Sequence, residues 1–253
     1  MLVPVLGTIG ILLAFLILLR ALHGRMLAGY PCFYCYIAML LLGTAIAASV
    51  RVAFPAKFSQ YYWPIQLVTL VFGYGIVLEI FRHVLFSYPG VGRFARVLGL
   101  VSLAATLCFA LVYPLIAPPS SHIGPYGELE RGVRALQAIL LVGILAVISH
   151  YGIPLGRNMK GMILGYGLYV GTSLVSLAVE AYAGVWLVAV WGFAQPVSLL
   201  ISLLIWLVAL WSYAPNPAPS FDTHLEQDYE ALVVRTKMAI GALRSYLFKT
   251  VRS

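Results

Sequence analysis

The sequence predicts an all-α polytopic membrane bundle of seven transmembrane helices, with the N-terminus outside and the C-terminus inside. Three observations predict it. Of 253 residues, 62% are apolar and 9% charged, against about 25% charge in an average soluble domain, so the chain lacks the charges that a water-facing surface needs. Seven apolar stretches meet or approach the roughly 20 residues that a helix needs to cross a bilayer. The basic residues fall between these stretches and favour one side.

The stretches are residues 3–22, 36–54, 63–85, 97–117, 134–151, 162–183 and 196–213. They are too long and too uniformly apolar for barrel strands, and lipid leaves only helices or closed barrels as spanning structures. The first has no basic stretch before it and runs unbroken from Val3 to Arg20, so it reads as a signal anchor that stays rather than a cleaved leader. Tyr61, Tyr62 and Trp63 open the third, and Trp206, Trp211 and Tyr213 lie toward the end of the seventh, as in interfacial aromatic belts. After the fourth, Pro118 and Pro119 lead into an outer loop with His122, Glu128 and Glu130. Residues 180–195 are aromatic-rich and read either as an interfacial loop or as membrane-embedded chain.

With the N-terminus outside, the inner side receives Arg20, Arg25, Arg82, Arg93, Arg96, Arg157, Lys160, Arg235, Lys237, Arg244, Lys249 and Arg252. The outer side keeps Arg51, Lys57, Arg131 and Arg134. Short loops obey the positive-inside rule, so this bias orients the chain in a bacterial inner (cytoplasmic) membrane, and an odd number of crossings agrees with a tail inside. No internal repeat of the kind that builds inverted-repeat transporters is visible.

The transmembrane domain therefore covers residues 1–213. Residues 214–221 form a spacer in which Pro215, Pro217 and Pro219 preclude a regular helix. Residues 222–253, from Asp222 at the cap to Ser253 at the end, read as a cytoplasmic amphipathic helix. Asp222 or Thr223 caps it, and Glu226, Asp228 and Glu230 sit near its positive end. Its apolar face, with Leu225, Leu232, Ile240 and Leu247, suits the inner leaflet or a cytoplasmic or membrane protein partner.

Charges inside spanning helices are costly and point to function or to internal pairing. Glu79, Arg82 and His83 share one face of the third helix at i, i+3 and i+4, and His150 near the inner end of the fifth can join them. At the outer end, Arg134, Gln137 and Glu180 are candidates for a polar ligand pocket. The alternatives are an internally satisfied ion pair at the inner end and snorkelling at the outer.

Pro31-Cys32-Phe33-Tyr34-Cys35 separates the first two helices. Two cysteines spaced this way at a helix start can form a redox pair, because the helix end favours a thiolate. Membrane oxidases that generate disulfides hold such a pair in this loop. Here the topology places it on the reducing side, Cys108 is alone in the fourth helix, and no second pair is present to relay electrons. Small apolar residues at a helix entrance are the simpler reading of Cys32 and Cys35.

Gly161, Gly165, Gly167 and Gly171 recur at helical spacing and predict a close helix contact. No motif calls for a cofactor or a metal. There is no phosphate loop, no hydrolase triad, no set of ligands at zinc spacing and no lysine in the seventh helix for a retinal Schiff base. The single, dispersed basic residues exclude a nucleic-acid surface.

Several of these motifs recur in one order: Tyr62-Trp63, Val77-Leu78-Glu79-Ile80-Phe81-Arg82-His83 followed by Tyr88-Pro89, Leu129-Glu130-Arg131 through Arg134 and Gln137, and Gly165-Tyr166-Gly167-Leu168. In that order, from Tyr61 onward to Tyr213, the chain resembles an uncharacterised family of bacterial seven-transmembrane-helix membrane proteins common in Acidobacteria. The resemblance implies a stand-alone seven-helix protein with no attached output domain, and it implies no activity. The cysteine pair departs from it, since similar proteins carry aromatics there. Two functions follow as expectations: a non-enzymatic sensor, scaffold or signalling component, or alternatively a thiol-disulfide redox protein using Cys32 and Cys35.

Overall fold

A computed structural model of the chain describes residues 2–24, 26–55, 58–86, 88–116, 124–182, 192–214, 217 and 225–251. Among them the helices are α1 (Leu2–His23), α2 (Pro31–Ala53), α3 (Phe58–Val84), α4 (Pro89–Ile116), α5 (Gly124–Tyr151), α6 (Arg157–Tyr182), α7 (Ala194–Ala209) and α8 (Leu225–Val251), with a 3₁₀ turn at Met26–Ala28. Six of them, α1 to α6, contain stretches long and apolar enough to cross a membrane. The chain is a helical, multi-pass integral membrane protein. Its outward faces agree, since Leu12, Phe15, Val101, Ile139, Leu164 and Val208 are exposed where lipid chains would cover them. The buried side chains include Arg134 and Gln137.

The seventh apolar stretch forms α7, a helix of 16 residues, about 24 Å long at 1.5 Å per residue. It lies antiparallel to α6, with Ala209 facing Gly161 and Trp206 facing Gly165. A Cβ at Gly161 would collide with that of Ala209, and one at Gly165 would lie 2.9 Å from Cδ1 and Cε2 of Trp206. Ser202 Oγ donates to the Gly165 carbonyl at 2.8 Å across the same contact. Such spacing of small residues is how membrane helices gain packing area without a hydrophobic driving force between them. Gly167 and Gly171 face open space instead, so two of the four expected glycines make the contact.

α1 runs parallel to α7. Gly10 faces Leu200 and Leu203, and one end is closed by Arg20, whose Nε donates to the Trp211 carbonyl at 2.8 Å while its guanidinium lies 5.4 Å from the indole centroid. Trp206 is fully buried, unlike the exposed Trp211 and Tyr213 with which an aromatic belt groups it. The reason is Gly165, which leaves room for the indole; Phe33 meets it edge-on at 5.2 Å and Tyr36 at 6.4 Å.

Helix bounds exceed the apolar stretches. α4 begins at Pro89, α5 at Gly124 and α6 at Arg157, because hydropathy marks only the lipid-embedded part while the helices continue into the polar interface. Arg93, Arg96, Arg131 and Arg157 therefore sit on helices rather than in loops. Gly152, with φ of 61°, ends α5 in the left-handed conformation that glycine adopts freely. α8 packs against α4, and Tyr151 Oη donates to Asp228 Oδ2 at 3.1 Å. Asp222, Thr223, Arg25, Lys57, His122 and residues 183–191 lie outside the described residues.

Gly161→Ala should destabilise the bundle by roughly 1–3 kcal/mol through overpacking against Ala209. Gly171→Ala should be neutral or stabilising by up to about 1 kcal/mol through helix propensity. Unfolding of the two variants in detergent micelles checks this, and equal midpoints would contradict the close contact.

Candidate functional site: polar centres at the two ends of the bundle

The C-terminal ends of α1, α3, α5 and α7 gather with the N-terminal ends of α2, α4 and α6, and at this end lies the first centre. α2 starts at Pro31, which has no N–H, and Tyr30 before it supplies no side-chain cap. The first free donors of α2, the N–H groups of Cys32 and Phe33, would be orphaned among buried side chains. Glu79 of α3, only 4% exposed, accepts both: Cys32 N–H donates to Oε1 at 3.3 Å and Phe33 N–H to Oε2 at 2.9 Å. A carboxylate on one helix thus caps the next, and it also answers the positive end of the α2 dipole.

His83, one turn further along α3, donates from Nδ1 to the Glu79 carbonyl at 2.9 Å, and its ring lies 5.0 Å from that of Tyr30. Burial, then Tyr213 and Glu79, push the Tyr30 hydroxyl up to about 12, so it stays protonated at physiological pH. Arg82 is exposed and has no carboxylate within ion-pairing distance among the described residues, because Glu79 is turned toward α2. His150 is exposed on α5, edge-on to Tyr151 at 4.7 Å. Of the four residues expected to cluster here, the structure joins Glu79 and His83, adds Cys32 and Tyr30, and keeps His150 apart.

Cys32 is half-buried, Cys35 and Cys108 are exposed, and all three thiols are free. The helix-end N–H that would favour a Cys32 thiolate is already bonded to Glu79 and is not free to stabilise one. Between the start of α2, α3 and α4 opens a cleft of about 520 Å³, lined by Cys32, Leu78, Arg82, Arg93, Arg96 and Leu100 among others.

The second centre lies near the other end of the bundle. Arg134 on α5 is fully buried; its Nη2 lies 3.6 Å from Glu130 Oε1 one turn earlier. It also donates from Nη1 to Gln137 Oε1 at 3.5 Å and from Nη2 to Tyr169 Oη at 3.4 Å, with its guanidinium 4.9 Å from the Tyr169 ring centroid. Gln66 Nε2 donates to Glu130 Oε1 at 2.6 Å and Gln137 Nε2 to the Leu70 carbonyl at 3.3 Å, so the network joins α3, α5 and α6. A buried charge whose single counter-charge is 3.6 Å away is costly, and the extra hydrogen bonds are what make it tolerable.

The network is incomplete. Arg134 Nε and the hydroxyls of Tyr36 and Tyr166, all buried and mutually close, have no hydrogen-bond acceptor of normal geometry among the described residues. Buried donors are almost always satisfied, so this group calls for an acceptor supplied by water or a ligand. Glu180 is exposed on α6 and makes no contact with Arg134 or Gln137 that would close a pocket. Glu130 was readable as a partner of Arg134 from its i, i+4 spacing. Gln66, Tyr36, Tyr166 and Tyr169 come from other helices, and no pattern along the chain marks them.

Among the described residues, no three His, Cys, Asp or Glu side chains gather as a metal site. Compared with protein-family models, curated proteins and solved structures, the chain has no match.

Glu79→Ala should cost about 2–6 kcal/mol, since it leaves one buried and one partly buried N–H group unpaired at roughly 1–3 kcal/mol each. Glu79→Gln keeps one acceptor and should cost about half as much, while Arg82→Gln should stay within about 0.5 kcal/mol. Denaturant unfolding in micelles gives all three, and an Arg82 effect as large as that of Glu79 would show that the ion pair, not the cap, matters.

Proposed function

We propose that the protein is a non-enzymatic sensor or scaffold of the bacterial inner membrane that crosses it seven times, N-terminus outside and C-terminus inside. The observation that carries this reading is the group of buried donors around Arg134 that lacks an acceptor, on a node that also holds α3. A small ligand bearing acceptor oxygens would complete that network, with Gln137 beside it and Glu180 nearer the outer surface. α3 is the coupling element. One of its ends is held through Gln66 and the Leu70 carbonyl, and the other ends in the Glu79 carboxylate on α2. A change in the outer network displaces α3 and so loosens or tightens the cap on α2, beside Arg82 and His83. Residues 222–253 then offer a surface to a cytoplasmic or membrane partner.

The bias of basic residues supports the orientation. Arg20, Arg82, Arg93, Arg96, Arg157 and Lys160 all lie at the end of the bundle where α2 begins. The place of α7 beside both α6 and α1 supports the seventh crossing.

Gln66→Ala removes one tie on α3 without touching the cap. It should raise hydrogen exchange at the Cys32 and Phe33 amides by several-fold, read by mass spectrometry in micelles. Unchanged exchange at those amides would sink the coupling.

A second reading, a thiol-disulfide redox protein, draws on Cys32 lining the cleft with Cys35 exposed one turn further along α2. A membrane-impermeant thiol reagent applied to intact cells carrying Cys108→Ser separates the two. Labelling only after permeabilisation is expected, and it places the pair on the inner, reducing side. Labelling of intact cells, or a disulfide between Cys32 and Cys35, would invert the topology and favour the redox protein.

A further inference from the structure

α3 and α4 form an antiparallel pair, with Leu78 against Gly99 and Leu85 against Gly92. The cleft between them has two unlike ends. Arg82, Arg93 and Arg96 stand at the mouth, where α3 ends and α4 begins, while Gly75, Leu78 and Leu100 line the part toward the membrane centre. Seven residues separate Arg82 from Gly75 and Arg93 from Leu100, about 10 Å along each helix. The cleft is therefore a slot with a cationic head and an apolar stem, oriented as a phospholipid is in a leaflet.

None of the three arginines has a carboxylate within ion-pairing distance among the described residues. The one acid lining the slot among the described residues, Glu79, has both oxygens bonded to main-chain N–H groups. Guanidinium forks suit phosphate oxygens better than ammonium groups do, because they bind them in pairs. The volume, about 520 Å³, lies within the roughly 300–1,000 Å³ range of sites that enclose small ligands.

We infer that this slot binds one anionic phospholipid, its phosphate held by Arg82, Arg93 and Arg96 and the upper part of an acyl chain laid along Leu78 and Leu100. A soluble phosphate would satisfy the arginines and leave the stem unfilled. Leu100, 51% exposed, opens the stem sideways to the bilayer, which gives a lipid its entry path. This site is separate from the outer network, and its occupancy does not depend on the sensor reading. It bears on α4, the helix that α8 packs against, so the bound lipid also steadies the helix that carries the tail.

The test uses the full chain in nanodiscs of phosphatidylcholine containing a minor share of phosphatidylglycerol, followed by native mass spectrometry of the released protein. One phosphatidylglycerol should remain bound in preference to phosphatidylcholine. The double variant Arg93→Gln/Arg96→Gln should weaken that retention about thirtyfold, at the typical worth of a basic residue against anionic lipid. Leu100→Trp leaves every charge in place and fills the stem, and it should also release the lipid, by at least fivefold. Helix content by circular dichroism establishes that both variants are folded.

Equal retention of the two lipids, or no effect of the double variant, overturns the inference. Loss in the double variant with full retention in Leu100→Trp overturns it too, because the arginines then act as a general basic surface. Displacement of the lipid by millimolar inorganic phosphate would assign the arginines to a soluble anion instead.

Discussion

The N-terminus of a helix packed within a bundle leaves main-chain donors that need partners, and α2 has this need at Pro31. Proline at the first position removes one orphan donor, and the Glu79 carboxylate from α3 takes the next two. Much of this end of the bundle follows from this contact. It fixes where α3 stands against α2 and leaves Arg82 without its nearest acid. It also keeps Glu79, the one acid lining the α3–α4 slot among the described residues, from pairing with the arginines there.

The Arg134 centre at the other end obeys the same rule less completely. Arg134, Glu130, Gln66, Gln137 and Tyr169 satisfy one another in part, while Tyr36, Tyr166 and Arg134 Nε have no hydrogen-bond acceptor of normal geometry among the described residues. A bundle built only for stability would gain by replacing such a network with close-packed apolar side chains, since buried ion pairs rarely repay their desolvation. Its presence at the meeting point of α3, α5 and α6 is why function is read there rather than in the thiols.

The helical membrane architecture was legible because lipid imposes a strong constraint, about 20 apolar residues per crossing. Glu79, Arg134 and Gln137 stood out for the same reason, as polar groups in apolar runs. Their partners did not. The i, i+3 spacing of Glu79 and Arg82 suggested an ion pair, and the structure instead turns the carboxylate toward main-chain donors 46 and 47 residues away in sequence. Trp206 read as a belt residue because tryptophan favours interfaces, yet the missing side chain of Gly165 on α6 gives it a place in the core. Such facts depend on which helices become neighbours, and periodicity along one helix carries no record of that.

The neighbours of α1 bear on how the protein is made. The first helix packs along the seventh, with Gly10 against Leu200 and Leu203 and Arg20 against the Trp211 carbonyl, a bond that spans 191 positions of chain. During synthesis, α1 enters the bilayer long before α7 leaves the ribosome, and until then that flank is covered by lipid or by an insertion chaperone. Closure of the bundle is therefore a late, long-range event of the kind that slows folding. A nascent chain halted before α7 would present the glycine face of α6 as well as the open flank of α1, which is the sort of surface that membrane quality control recognises.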